Sequence, residues 1–424
     1  AGVAFFNVTG GGHATSVPQL TPNVPRNAYA YLAGEVKKAV SVPVAAANRN
    51  NDPIGAEAVI RNGWADMISL GRQALADADW PVKAERGDIE DIRLCVACNE
   101  CLDITVIYDK PVYCLVNPKQ SVMSELDDIG EAAEKKKVAV IGGGVAGLQF
   151  ALTAAQRGHS VTLFEKKNHL GGMWNQAAYP RGREELFSFL RWLTHGVKAA
   201  GVDLRMNTEA DEATIAELAP DVVAVSAANE PDMPDIPGID GDNVLFAARA
   251  LDGDVEIGEK VVIIGGGGIG AEIAPHLAKR WTLAPEVAAF LHDMNAVEDD
   301  SPLFAQRGHD VILTTRQDKI GGTIGESTRW VVNKEVRHAG IRVMNGTTAK
   351  QITPEGVIVE QNGKEELLKA DTVLVAGGLK PSLALYESMK AAKVAPSVLS
   401  VGNSDQPTHA VHNLREAFRL ALEL

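Results

Sequence analysis

The most constraining feature of this sequence is the stretch VAVIGGGVAGLQFALTAAQRGHSVTLFEKK, which restarts a strand, turn, helix and strand in the middle of the chain. Gly142, Gly144 and Gly147 have the spacing G-x-G-x-x-G between the strand and the helix, and the next strand ends at Glu165. In dinucleotide folds the first glycine makes a tight turn, the second admits the pyrophosphate and the third lets the helix pack on the strand. The helix N-terminus attracts the phosphate, and the acid accepts from a ribose hydroxyl. The stretch therefore predicts a dinucleotide-binding domain.

A second unit, KVVIIGGGGIGAEIAPHLAKR, repeats this pattern with Gly265, Gly267 and Gly270. Its second strand, HDVILTTR, ends in Thr315 and Arg316 instead of an acid. Because an arginine at this position favours the 2′-phosphate of NADPH over the ribose of NAD, we expect NADPH at Arg316. A solvated Arg316 and a second fold without a nucleotide are the alternatives.

All four cysteines of the chain lie in one stretch, CVACNECLDITVIYDKPVYC, with the spacing C-x2-C-x2-C-x12-C. In a reducing compartment this pattern indicates a metal site before a disulfide framework. Three cysteines on one loop and a remote fourth favour a [4Fe–4S] cluster, because a cubane takes its ligands in that arrangement. Zinc, and buried or redox-active thiols without a metal, remain alternatives. The candidate ligands are Cys95, Cys98, Cys101 and Cys114.

The residues before the cysteines alternate short apolar strands with helices. The strands are VAFFNVTG, SVPVAAAN and ADMISLGR, and the helices are YAYLAGEVKKAV and IGAEAVIRNG. This order predicts a parallel sheet or barrel. Three strands alone would leave an open apolar edge. We therefore expect a separate chain or a preceding segment to complete the barrel.

The charge of the chain argues against two classes of partner. With 41 basic and 55 acidic residues, the formal net charge is −14, which disfavours nucleic acid and anionic membrane surfaces. No apolar run reaches the roughly 20 residues of a membrane span. The first residues have no basic region typical of a secretory signal, so we expect a cytoplasmic location.

The motif CVACNECLD…YCLVNP, between a barrel end and a dinucleotide fold, resembles the 2,4-dienoyl-CoA reductase and trimethylamine dehydrogenase group of iron–sulfur flavoproteins. This group belongs to the old yellow enzyme class, and the resemblance covers essentially the whole chain. The cysteine spacing is closer to the amine dehydrogenase branch. The resemblance implies an α/β fold with the C-terminal part of a (β/α)8 TIM barrel, an iron–sulfur segment and two nested Rossmann-like domains. The implied boundaries are 1–92 for the barrel, 93–134 for the iron–sulfur segment and linker, 135–255 and 371–424 for the FAD domain, and 256–370 for the NAD(P)H domain.

The resemblance also implies roles for individual residues. An FMN on the barrel would contact two strand ends, and a histidine after the first strand would help to deliver a proton to the substrate. In the FAD domain, HLGGMW would contact the cofactor, and a Gly-Asn pair stands where the family usually has Gly-Asp near the ribityl chain. Because VSAAN at 225–229 also departs from the family's turn, bare ADP is the alternative to FAD. The implied residues are Arg49, Gly71 and Arg72 for FMN, His13 for proton delivery, and Gly172, Trp174, Gly402 and Asn403 for FAD.

The implied activity is an NAD(P)H-dependent reduction of an activated C=C bond in a small-molecule substrate. The bond would be of the enoyl-CoA, dienoyl-CoA or conjugated carbonyl type, with electrons passing through FAD, a [4Fe–4S] cluster and FMN. A methylamine-type amine dehydrogenase with an external electron carrier and an electron-transfer subunit of a larger complex are the alternatives. We expect an oligomer.

Overall fold

The structure is a computed structural model that describes residues 2–11, 17–120, 129–226, 229–279, 283–298, 308–402 and 409–424. The chain forms two compact units. The first comprises Ala1–Glu230 and Lys380–Leu424, and the second is Pro231–Leu379, inserted into the first. No helix in the described part of the chain is long and apolar enough to cross a bilayer.

The first part of the larger unit is a small parallel sheet with helices after its strands, as the sequence predicted. The central strand is buried along its whole length, whereas the outer strands expose Phe6 and Met67. Small side chains such as Ala33 and Ala46 let the helices pack closely on the sheet. The segment contains β1 (Phe6–Val8), α1 (Ala30–Ala39), β2 (Val44–Ala46), α2 (Pro53–Arg61), β3 (Met67–Ile68), α3 (Arg72–Ala76) and α4 (Trp80–Arg86), with the sheet order β1-β2-β3.

The cysteine segment follows and has little regular structure. It contains a 3₁₀ turn (Ile89–Asp91), a three-residue helix α5 (Glu100–Leu102) and a π-helical turn (Asp103–Ile107). Short 3₁₀ turns are common as connectors, and π-helical turns occur frequently at functional sites.

The remainder of the larger unit is a five-stranded parallel sheet covered by helices. Helix α6 follows the first glycine-rich turn and is buried over most of its length, which explains its nearly continuous apolar sequence. The elements are β4 (Lys137–Ile141), α6 (Val145–Gln156), β5 (Ser160–Glu165), α7 (Met173–Ala178), α8 (Leu186–Ala199), β6 (Asp203–Met206), α9 (Glu212–Leu218), β7 (Val222–Val225), α13 (Ala384–Ala391), β18 (Ser397–Ser400) and α14 (Ala410–Leu422). The strand order is β18-β7-β4-β5-β6. Where the chain passes between the two units, β8 (Glu230–Pro231) and β17 (Leu379–Lys380) form a separate two-stranded sheet.

The inserted unit repeats this architecture and adds an antiparallel three-stranded sheet. Its parallel sheet has the order β12-β11-β10-β16-β9, so the strand before the glycine-rich turn is central in both units. The elements are β9 (Val244–Phe246), a 3₁₀ turn (Ala247–Leu251), β10 (Lys260–Ile264), α10 (Gly268–Ala278), α11 (Pro285–Asp293), β11 (Asp310–Thr314), α12 (Glu326–His338), β12 (Arg342–Met344), β13 (Thr347–Thr353), β14 (Gly356–Gln361), β15 (Lys364–Lys369) and β16 (Thr372–Val375). The prediction of two nested Rossmann-like folds is confirmed.

Candidate functional site

The four cysteines are free thiols that line one cavity in the larger unit. One cation, Arg72, and one amide, Asn99, also line this cavity, and the other lining residues are apolar. Among the described residues, no three Cys, His, Asp or Glu side chains are close enough together to hold a single metal ion. The four thiols thus share one cavity without forming a single-ion site among the described residues.

The loop between the first three cysteines places its thiols on one side by means of two left-handed residues. Ala97 has a φ of 56° and Asn99 a φ of 64°. Such a backbone costs an L-residue such as alanine about 1–2 kcal/mol, whereas asparagine adopts it more readily. The backbone is thus strained at Ala97, in a loop whose cysteines Cys95, Cys98 and Cys101 line the cavity.

Side chains from the barrel segment hold the first cysteine in place. The Gln73 Oε1 accepts a hydrogen bond from the Cys95 N–H at 2.8 Å, and the Asn51 Nδ2 donates to the Cys95 carbonyl at 2.9 Å. Asn51 is held in turn by Trp80, because the Trp80 indole Nε1 donates a hydrogen bond to the Asn51 carbonyl at 2.7 Å. Because both main-chain groups of Cys95 are bound to this segment, the barrel end and the cysteine loop are structurally coupled.

The electrostatic environment favours the neutral form of the thiols in the absence of a bound cation. Burial raises the pKa of Cys98 well above its usual value and that of Cys114 to about 11, and neighbouring thiols add to both shifts. In the opposite direction, the backbone N–H groups of Val116 and Asn117 bond to Cys114 and lower its pKa. Four thiolates would therefore be stable here with a bound cationic centre, and the donor set fits a metal–sulfur group.

The first glycine-rich turn has the geometry that a dinucleotide site needs. Gly142 has a φ of 105°, and a Cβ at Gly147 would lie only 2.1 Å from the Gly142 carbonyl oxygen. The carboxylate of Glu165 is buried and accepts from the Gly143 N–H at 2.8 Å. Gly144 ends the turn as the N-cap of α6, and a Cβ there would meet no atom within 4 Å.

Two further predicted segments lie beside this turn. The Gly171 N–H donates to the Gly143 carbonyl at 2.8 Å, which places Gly172 next to Gly144. Gly402 has a φ of 73°, and a Cβ there would lie 2.8 Å from the Ala146 Cβ. The segment HLGGMW and the C-terminal segment around Gly402 thus lie at the N-terminus of α6.

Trp174 has the contacts of a core residue. Its indole Nε1 donates to the Leu186 carbonyl at 2.8 Å, and its ring packs edge-on against Phe189 at 5.4 Å between centroids. Its role as a cofactor contact stays a prediction. Gly172 supplies the left-handed turn, with a φ of 53°, that starts the helix carrying Trp174.

The second glycine-rich turn repeats the first closely. Gly265 has a φ of 114°, and a Cβ at Gly270 would lie 2.0 Å from the Gly265 carbonyl oxygen. Gly267 is the N-cap of the following helix. Thr315 lies beside Gly266 of this turn, at the position that corresponds to Glu165 beside Gly143 of the first turn. Arg316, the residue after Thr315, is exposed.

The arginines predicted to hold FMN have different surroundings. Arg49 is buried and its Nη2 donates to Glu185 Oε1 at 2.8 Å. Burial lowers the pKa of Arg49, and Glu185 partly opposes that effect. The Arg49 Nε is buried and has no hydrogen-bond partner among the described residues.

Gly71 precedes Arg72, the first residue of α3. The Arg72 Nη1 donates to the Leu20 carbonyl at 2.7 Å and to Asn99 Oδ1. Arg72 therefore faces the cysteine cavity.

His13 and Asn403 lie outside the described residues. Sequence reasoning missed Asn99 and Glu185. Asn99 could have been singled out, because an asparagine directly after a candidate ligand cysteine suits a left-handed turn. Nothing in the local sequence indicates a role for Glu185, since it pairs with an arginine 136 positions away.

Comparisons with known proteins agree with this arrangement. The sequence profile of the pyridine nucleotide-disulphide oxidoreductase family matches residues 136–396. The profile of the NADH:flavin oxidoreductase / NADH oxidase family matches residues 16–91, a range that contains β2 and β3 of the small sheet and supports its assignment to the predicted barrel. The predicted fold class is confirmed.

Individual relatives cover most of the chain. A metal reductase of Desulforamulus reducens is 36% identical over 431 residues, which cover 100% of this chain and 64% of the relative. An NADH oxidase of Thermoanaerobacter brockii is 34% identical over 388 residues, which cover 90% of this chain and 56% of the relative. The solved structure of a 2-naphthoyl-CoA reductase with 2-naphthoyl-CoA superposes with a TM-score of 0.88 at 28% identity, covering 99% of this chain and 60% of that chain.

This chain thus spans about 56–64% of the length of the relatives named above. It belongs to the pyridine nucleotide-disulphide oxidoreductase family, and together with its NADH:flavin oxidoreductase segment it is a member of the 2,4-dienoyl-CoA reductase and trimethylamine dehydrogenase group of flavoprotein oxidoreductases.

Proposed function

We propose that this chain acts in the NAD(P)H-dependent reduction of an activated C=C bond, with FAD, a [4Fe–4S] cluster and FMN as its redox groups. The observation that carries the proposal is the cavity lined by all four free cysteines. It lies in the same compact unit as the barrel segment and the first dinucleotide fold. Within this proposal the enzyme joins two flavin sites through a one-electron centre.

The cluster would be held by Cys95, Cys98, Cys101 and Cys114. A zinc ion held by the same four cysteines is the alternative, and the metal content of the protein distinguishes the two. A cubane, with one ligand at each of four corners, suits thiols that surround a cavity.

The nucleotide sites are assigned from the two glycine-rich turns. Gly142, Gly144, Gly147 and Glu165 would hold FAD, and Gly402 would lie near its far end. ADP in place of FAD remains the alternative at this site. In the inserted unit Gly265, Gly267 and Gly270 would hold the nicotinamide cofactor, and the exposed Arg316 would bind the 2′-phosphate of NADPH through charge-assisted hydrogen bonds.

Arg49, Gly71 and Arg72 are proposed to hold FMN. The unpartnered Nε of Arg49 supports this, because a buried guanidinium donor needs an acceptor. Arg72 can neutralise a phosphate while it contacts the cysteine loop. His13 is proposed to move a proton to the substrate, since imidazole titrates near neutral pH.

When bound, the nicotinamide and the flavins supply hydride chemistry and the cluster carries single electrons. The chain itself holds and orients these groups. The similar structure of a 2-naphthoyl-CoA reductase supports a substrate whose unsaturated bonds are conjugated with a thioester carbonyl. The metal reductase and the NADH oxidase indicate that relatives differ in their electron acceptor.

We further propose that additional barrel strands, from the same or a separate chain, cover the outer strands of the small sheet. Phe5, Phe6 and Met67 are exposed there although they belong to or adjoin strands. The edges of open strands can pair with further strands, and exposed large apolar side chains mark surfaces that contact other protein segments.

The test is anaerobic stopped-flow mixing of the full protein with NADPH and then NADH. We expect the flavin absorbance to bleach with either nucleotide, faster with NADPH, and to recover when an enoyl-CoA thioester is added. Inertness to both nicotinamides would contradict the proposal. The cysteine spacing favours the amine dehydrogenase alternative, for which methylamines and not nicotinamides would bleach the flavin.

A further inference from the structure

Asn99 is the amide side chain that lines the cysteine cavity, and it lies between Cys98 and Cys101. The residue is 1% exposed. Its Oδ1 accepts a hydrogen bond from Arg72 Nη1. Because a guanidinium can only donate, this contact fixes which end of the amide is the oxygen.

The other end of the amide, the Asn99 Nδ2, is a buried donor with no hydrogen-bond partner among the described residues. Leaving a buried amide donor unpaired is unfavourable, and nearly all such groups in proteins have an acceptor. The remaining cavity lining offers sulfur atoms and apolar side chains beside Arg72. The acceptor that suits this donor is therefore the group that the four thiols hold.

The backbone conformation at Asn99 suits an asparagine at this position. Its φ of 64° is left-handed, a conformation that asparagine and glycine adopt at the lowest cost. The residue that follows Cys98 therefore turns the chain and, at the same position, directs an amide into the cavity. A different residue that only made the turn would leave the cavity without this donor.

We propose that Asn99 is a positioning residue that donates an N–H···S hydrogen bond from Nδ2 to the cluster and raises its reduction potential. This inference rests on the proposed function. Hydrogen bonds to cluster sulfurs stabilise the more negative, reduced state and are one of the factors that set the potential. Through its Oδ1 the same side chain orients Arg72, so that one amide connects the barrel-side arginine to the cluster.

The test uses the full protein with its cluster reconstituted anaerobically, and the readout is the cluster midpoint potential from an EPR-monitored redox titration. Asn99→Gly keeps the left-handed turn and removes the donor. We expect its reduction equilibrium to shift about tenfold toward the oxidised state, which corresponds to about 59 mV lower for a one-electron couple.

The matched control is Asn243→Ala. Asn243 is an asparagine of the inserted unit, and its Nδ2 already donates to the Thr353 carbonyl at 3.1 Å. It does not line the cysteine cavity. We expect the cluster potential of this variant to stay within about threefold of the wild-type equilibrium.

A second variant keeps the inference testable if Asn99→Gly fails to take up the cluster. Asn99→Asp retains the shape, the turn preference and the acceptor for Arg72, but it replaces the donor with a negatively charged oxygen. Because the added charge also opposes reduction, we expect its potential to fall by at least as much as that of Asn99→Gly, with a changed EPR line shape. Wild-type potentials in the cluster-loaded Asn99 variants would overturn this inference and leave the proposed function intact. A wild-type protein without iron and sulfide would overturn both.

Discussion

Glu185 joins the barrel segment to the first dinucleotide fold through two arginines. Its Oε1 accepts from Arg26 Nε and from Arg49 Nη2, each at 2.8 Å, and its Oε2 accepts from Arg26 Nη2 at 2.6 Å. The Arg49 side chain is only 3% exposed. Removing the carboxylate charge by Glu185→Gln therefore leaves a buried guanidinium without its counter-ion.

The size of the effect follows from the burial of each partner. Removing one partner of a buried pair costs about 3–5 kcal/mol, whereas exposed pairs contribute about 0.2–1 kcal/mol. Arg26 is partly exposed and keeps its ion pair with Asp52 at 2.9 Å, and the glutamine retains one acceptor oxygen. We therefore expect a loss of about 2–3 kcal/mol, or roughly 4–12 °C in the unfolding temperature.

Differential scanning calorimetry of the full protein measures this shift against a control. Glu57→Gln removes the same charge from an exposed i,i+4 pair with Arg61 at 3.1 Å, which should cost less than about 0.5 kcal/mol. Equal unfolding temperatures for the two variants would show that the arginine network does not join the two segments as the structure indicates.

Four further outcomes follow from individual residues. Gly147→Ala should lower the free energy of unfolding by about 1–3 kcal/mol, because its Cβ would contact the Gly142 carbonyl. Gly144→Ala should fold with wild-type stability and lose only the bound nucleotide, because its Cβ would meet no atom. Equal thermal stability of the two variants would contradict this reasoning. Arg316→Ala should reduce the preference for NADPH over NADH about tenfold in flavin-reduction rates, and an unchanged preference would contradict the assignment. Cys114→Ser should lower the iron content but not the flavin content. Burial, and to a smaller extent nearby cations, lowers the pKa of His159 in the folded protein. The free energy of unfolding should therefore be highest above the unfolded pKa of about 6.5 and decrease as the pH falls below it. Denaturation curves of His159→Gln should lack this dependence.

The glycine-rich turns could be predicted from the sequence because their spacing is dictated by steric limits. At Gly147 and Gly270 a Cβ would meet a backbone oxygen of the same turn, so only glycine fits. The strands and helices around them followed from the apolar pattern. The cysteine spacing likewise predicted that the four thiols share one site, and they line one cavity.

Other features depend on contacts between distant parts of the chain. Arg49 could be recognised as an arginine at a strand end, but nothing in the sequence indicates that Glu185 lies beside it. Trp174 follows two glycines in a segment typical of cofactor contacts, yet its indole packs in the core of the domain. Pairing and burial of this kind are decided by tertiary packing and not by local sequence.

The central claim is that the four thiols hold an iron–sulfur cubane. The most direct measurement is the quantification of iron, acid-labile sulfide and zinc per chain in anaerobically purified full protein. We predict about four iron atoms and about four sulfides per chain with no bound zinc. One tightly bound zinc ion per chain, without iron or sulfide, would contradict the claim.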